Sequence, residues 1–167
     1  MFREFDLYSG NVNPFNKIGR EWMLVCAGTE NNFNMMTASW GGLGVLWNRN
    51  VCFAFVRPNR HTFKFMEENE YFTLSFFPES KKDILSLCGT KSGRDIDKMN
   101  LPGLTPVYEK PGFIYFSEAS FIIYSRKIYF QDLDPSHFLD PSILENYPQK
   151  DFHRCYTGEI KKALSRL

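Results

Sequence analysis

At 167 residues the chain has the length of a single domain, residues 1–167, with enough material for a substantial core. Its 20 Lys and Arg balance 19 Asp and Glu, so it lacks the basic excess that a nucleic-acid partner asks for, and no apolar run is long enough to cross a membrane. The 17 Phe and 8 Tyr suit pleated sheet surfaces, and equally an interface or a planar ligand.

The opening "MFREFDLYSG" has no apolar core of a secretory leader. "EWMLVCAGT" reads as a strand ended by Gly28, "NNFN" as a turn, and "MMTASWGG" as the second strand of a hairpin. "NVCFAFVR" is a third strand, stopped at Pro58. In "NRHTFKFMEENE", Asn59 is placed to cap a short helix whose Thr62, Phe63 and Met66 share a face. "YFTLSFF" is a strand, and "SKKDILSLCG" a helix opened by a Ser80–Asp83 capping box and closed near Gly89. Residues 91–112 are irregular, and 113–133 supply one or two aromatic-rich strands. A loop with three prolines covers 134–151, and "FHRCYTGEIKKAL" is a last strand or a terminal helix. The sum is a mainly β domain, a β-barrel with short helices, without the βαβ alternation of a doubly wound sheet.

The glycines of "TASWGGLGVLWNR" fit no phosphate-loop template. Gly42 and Gly44 match the start of a dinucleotide fingerprint, but Trp47 stands where its third glycine belongs. What remains is a strand ending in small residues, whose backbone either lies against something flat or forms a bulge or barrel corner. "RPNRHT" sets Arg57, Arg60, His61 and Thr62 at a strand-to-helix junction, where a phosphate or merely solvent would be met. "CGTKSGRDIDK" combines Gly89 and Gly93 with Lys91, Ser92, Arg94 and Lys98, a turn able to nest an anion with Lys91 as a point charge, or a solvated loop. Two anion sites beside a glycine-rich, aromatic-flanked strand suit a phosphorylated planar cofactor. Conventional catalytic sets are thin: His61, His137 and His153 lack metal-ligand spacing, and no nucleophile elbow is present. For His153 a structural hydrogen bond competes with a substrate contact. Cys26, Cys52, Cys88 and Cys155 form no CxxC pair, which reads as a reduced, cytoplasmic protein with Cys26 and Cys52 as buried thiols.

"NFNMMTASWGGLGVLWNR", "FAFVRPNRHTFKF", "FTLSFFPE", "LSLCGTKSGRDIDK" and "LDPSHFLDPSI…NYPQKDFHRCYTGEI", in that order, resemble the flavin reductase-like family of FMN-binding split barrels, in particular its flavoredoxin-like branch. The resemblance implies a split β-barrel homodimer with FMN, its ring along Met36, Thr37, Ala38, Ser39 and Trp40. It implies a phosphate held chiefly by Arg57, Arg60, His61 and Thr62 with help from Lys91 and Ser92. The segment Ser75, Phe76 and Phe77 and the loop Cys88, Gly89 to Gly93 would close over the cofactor, with Asp97 and Lys98 acting as a lid. NAD(P)H is the implied transient donor and a nicotinamide nucleotide or redox protein the partner, with no catalytic side chain required. A flavoredoxin-like electron carrier without NAD(P)H turnover of its own is the alternative.

Overall fold

A computed structural model describes residues 1–167. The chain runs through ten strands: β1 (Phe2–Glu4), β2 (Met23–Thr29), β3 (Asn32–Ala38), β4 (Gly41–Leu46), β5 (Arg49–Val56), β6 (Tyr71–Phe76), β7 (Pro106–Tyr108), β8 (Ile114–Phe116), β9 (Phe121–Asp132) and β10 (Arg154–Arg166). Helical pieces are short: α1 (Pro14–Asn16), α2 (His61–Glu68) and α3 (Lys82–Thr90), with 3-10 turns at 79–81, 135–137 and 141–146 and a π turn over 17–21. No helix is long and apolar enough to cross a membrane.

One antiparallel sheet in the order β3-β2-β6-β9-β10-β5-β4, with β1 on the far end of β10, carries the fold. It curls until β3 approaches β5, but no ladder joins the two. The result is a barrel split along one seam. Strand β2 shows why its apolar run does not alternate. Met23, Val25 and Ala27 face the barrel interior, while Leu24 and Cys26 face a second core built with α3 and β8. A strand covered on both faces needs apolar residues at every position. Helix α2 buries Phe65 and Met66 in the first core and stops one end of the barrel.

Two local expectations change and one open alternative closes. The glycines of 41–46 are a strand of their own, paired with β5, and the chain leaves β3 at Ser39–Trp40. Trp47 (φ 52) and Asn48 (φ 58) close that hairpin, both in the left-handed region that a two-residue turn of this twist demands. The Ser80–Asp83 box is absent, because residues 79–81 form a 3-10 turn and α3 begins only at Lys82. Residues 154–166 are strand β10, which β9 and β5 flank on both sides.

Candidate functional site

The seam between β3 and β5 opens into a cavity of about 230 Å³ lined by Met36, Thr37, Ala38, Ser39, Trp40, Phe55, Arg57, Arg60, Gly89 and His153. Because β3 is the last strand on its side, alternate residues turn their N–H and C=O groups toward this opening. The phase is set by Met35, whose carbonyl takes the Lys98 ammonium from the open side at 3.0 Å. Thr37 shares that phase, so its backbone donor and acceptor face the seam, and Ser39 follows where the chain bends away from β3. The Thr37 hydroxyl is used elsewhere, donating to Leu85 O on α3. The wall is therefore a polar backbone edge flanked by Trp40 and Phe55.

A second cavity, of about 250 Å³, adjoins the first through Met36 and Arg60. It brings "RPNRHT" and "CGTKSGR" together: Asn34, Asn59, Arg60, His61, Thr62, Thr90, Lys91, Ser92, Gly93, Arg94 and Lys98 line it. No carboxylate lies within 4 Å of Arg60, His61, Lys91, Arg94 or Lys98, although ten ion pairs form elsewhere. Arg60 instead donates to Gly89 O (2.7 Å) and Arg94 to Asn59 O (3.2 Å). Desolvation by burial, helped by the charges of Arg94, Lys64 and Lys98, pushes His61 below its ordinary value. A pocket of basic groups held by carbonyls alone is a site for an anion. The first turn of α2 is capped by Asn34 rather than Asn59. With its amide oriented to suit its neighbours, Asn34 accepts from Thr62 Oγ1 (2.7 Å) and Thr62 N (3.3 Å). Gly93 is pressed against this cap, where a Cβ would meet the Asn34 amide at 2.1 Å.

Segment 134–152 packs against two residues of the first cavity, Arg57 and His153. Arg57 grips both Asp151 oxygens (3.1 and 3.0 Å), donates to Asn146 O (2.9 Å) and lies over the Tyr147 ring. Asn59 donates to the same carboxylate at 2.8 Å. His153 is buried, with its ring 5.2 Å from Trp40 and its Nδ1 2.8 Å from the Tyr147 hydroxyl. Burial, helped by Arg57, pushes His153 down to about 4, so the ring is neutral near pH 7.

The expected site residues thus divide. Met36 to Trp40, Arg60, Gly89 and His153 line the first cavity, and Arg60, His61, Thr62, Lys91, Ser92 and Gly93 the second. Arg57 also lines the first cavity, but it is neutralised by Asp151 and is not among the basic groups of the second. Ser75, Phe76 and Phe77 reach neither cavity, since β6 lies between β2 and β9 and these side chains are buried. The Cys88 thiol is buried in the second core, and only its carbonyl faces Lys98. Absent from the expectation were Asn34, Phe55 and Asn59 as lining residues, along with the buried position of Lys98, whereas Arg94 and the loop through Thr90 are where it put them. An amide set between Phe33 and Met35 was the available signal for Asn34.

The sequence profile described as "Flavin reductase like domain" matches residues 15–129. Comparison with curated protein sequences gives no significant match. The fold is similar to an FMN-binding protein of Thermus thermophilus (TM-score 0.70, 17% identity, 98% of this chain and 82% of that one). It is also similar to flavoredoxin of Methanosarcina acetivorans (0.68, 19%, 95% and 76%). A third likeness is to an NADH:FAD oxidoreductase of Streptomyces globisporus (0.66, 13%, 87% and 74%), solved with NAD and FAD fragments.

Proposed function

This chain belongs to the flavin reductase like domain family, and from that premise we propose that it binds FMN and works as an NAD(P)H-dependent oxidoreductase. The observation that carries the reading is the pair of adjoining cavities, sharing Met36 and Arg60, in which a backbone edge meets a basic pocket free of carboxylates. The donor set fits the cofactor, with strand amides for a planar heterocycle and cations for a phosphate monoester. FMN supplies hydride acceptance and electron transfer at its ring system.

The chain's own residues bind, orient and shield. Thr37 and Ser39 would hold the ring edge through their N–H and C=O groups, and Trp40 and Phe55 would exclude water from its surroundings. Arg60, Lys91, Arg94 and Lys98 would neutralise the phosphate, with Thr62 and Ser92 as hydroxyl donors. His153, neutral and tethered through Nδ1, would meet the nicotinamide or acceptor at the open side. The tautomer with the imidazole proton on Nε2 is the one in which the Tyr147 hydroxyl donates to Nδ1. No side chain is asked to act as a strong acid or base. A homodimer has a surface to use: Val45, Trp47, Tyr129 and Phe130 are exposed on the β4–β5 hairpin and β9, and Trp47 and Tyr129 are in contact at 5.8 Å between ring centroids.

The purified protein should carry flavin absorbance or gain it with added FMN, and anaerobic NADH or NADPH should bleach it. Failure to bind FMN sinks the proposal. The flavoredoxin likeness favours one other reading, an electron carrier, in which bound FMN is reduced by nicotinamide no faster than free flavin.

A further inference from the structure

Tyr147, on the segment 134–152, is only 6% exposed, and its hydroxyl meets one polar partner, Nδ1 of His153 at 2.8 Å. Three neighbours hold its ring. Phe138 stacks on it, Phe152 packs at 4.9 Å between centroids, and the Arg57 guanidinium, itself gripped by Asp151, lies 5.0 Å over it. A phenol proton sealed in this way needs an acceptor. If Nδ1 carried the imidazole proton, it would donate to the phenol oxygen and leave the phenol proton without a partner. With Nδ1 unprotonated, Tyr147 donates to it, and burial, which pushes the phenol up, keeps that proton in place. The imidazole proton then belongs on Nε2. Nε2 makes no hydrogen bond within the protein, yet the sealed polar atoms that lack a partner are the Ser75 and Ser165 hydroxyls alone. On a ring only 7% exposed, Nε2 therefore opens into the cavity that His153 lines, between Trp40 and Phe55.

We propose that Tyr147 is a positioning residue that fixes His153 as a hydrogen-bond donor, and that the second ligand of this cavity is recognised through an uncharged carbonyl or carboxamide oxygen on Nε2–H. This rests on the FMN reading for the flavin as the first ligand. A neutral imidazole whose acceptor nitrogen is occupied gives one hydrogen bond and accepts none. A ligand N–H therefore finds no acceptor at this ring. A carboxylate finds no counter-ion beside it, because Arg57, the cation over Tyr147, is already neutralised by Asp151. Trp40 and Phe55 offer apolar faces to a planar group carrying the oxygen. Tyr147 and Asp151 lie outside the 15–129 region that carries the family profile, so the device belongs to this chain's own 134–152 segment.

The test is nitrogen NMR of the full chain, isotope-labelled at histidine, near neutral pH, with and without FMN. Benzamide is the carbonyl probe, toluene is the probe without the oxygen, and His153 is assigned by the signal lost in His153→Gln. The wild type should show a protonated Nε2 and an unprotonated, hydrogen-bonded Nδ1, and benzamide should shift Nε2 where toluene does not. Tyr147→Phe should remove the hydrogen-bond shift at Nδ1 and weaken benzamide about ten-fold, the worth of one lost hydrogen bond. A tyrosine that merely packs predicts neither change. A proton on Nδ1 in the wild type, an Nε2 signal that benzamide leaves unmoved, or unchanged benzamide affinity in Tyr147→Phe overturns the proposal. The wild-type spectra decide the matter even if the variant fails to fold. Failure to bind FMN sinks the FMN reading and leaves the imidazole to be judged on its flavin-free spectra. A protonated Nδ1 in a protein that does bind FMN overturns the role of Tyr147 alone.

Discussion

Arg57 and Arg60 leave the same strand-to-helix junction with different partners. Arg57 is committed to Asp151 and Asn146 O, whereas Arg60 touches only Gly89 O and faces both cavities. Arg60→Ala should therefore weaken FMN by about 1.5–3 kcal/mol, the worth of a hydrogen bond to a charged group, measured by fluorescence quenching; unchanged affinity removes Arg60 from the site. The sequence alone gave both arginines equal standing, because nothing in "RPNRHT" reveals a carboxylate 94 residues further on. His153 sets a pH dependence. Its folded value, about 4, lies below the ordinary 6.5, so the unfolded chain takes up the proton first. Stability from this group is complete above pH 6.5 and is lost as pH falls toward 4, on the order of 2–3 kcal/mol given the open cavity beside it. Denaturant melts at pH 7 and 4.5 should show the loss in the wild type and a smaller one in His153→Asn.

At the scale of elements, the site depends on how α2 and the 134–152 segment are fastened. Met66 is fully buried in the barrel core, so Met66→Ala should cost about 2–5 kcal/mol by thermal or denaturant melting. FMN affinity should fall with it, since α2 presents His61 and Thr62. Asp151→Ala releases Arg57 and Asn59 together, and amide exchange should rise through 134–152 while the barrel strands stay protected. Unaltered exchange there would show that the aromatic contacts of Tyr147 suffice. Strands β2, β5 and β6 were legible because their apolar runs are long and bounded by turn residues. The β4–β5 hairpin was not, since its turn is Trp47–Asn48 instead of a glycine pair, with Trp47 held at φ 52 and its ring against Tyr129. The helix starts failed for a related reason: the cap of α2 arrives from β3, through Asn34, at a distance no local pattern records.

For the whole molecule, the barrel class followed from short aromatic-rich strands, while the seam did not. Which two strands remain unpaired is decided by closure of the sheet, a property of no single segment. The exposed Val45, Trp47, Tyr129 and Phe130 lead to the expectation of a dimer by sedimentation, shifted toward monomer in Tyr129→Ser. A monomeric wild type would refute the homodimer. Strand β2, apolar on both faces and laddered to β3 and β6, has a kinetic consequence. Its amides have no route to solvent short of global opening, whereas the seam-side amide of Thr37 has no strand to hold it. One edge of the candidate binding wall is then anchored in the slowest-opening part of the protein, and the other is left to be ordered by whatever occupies the cleft.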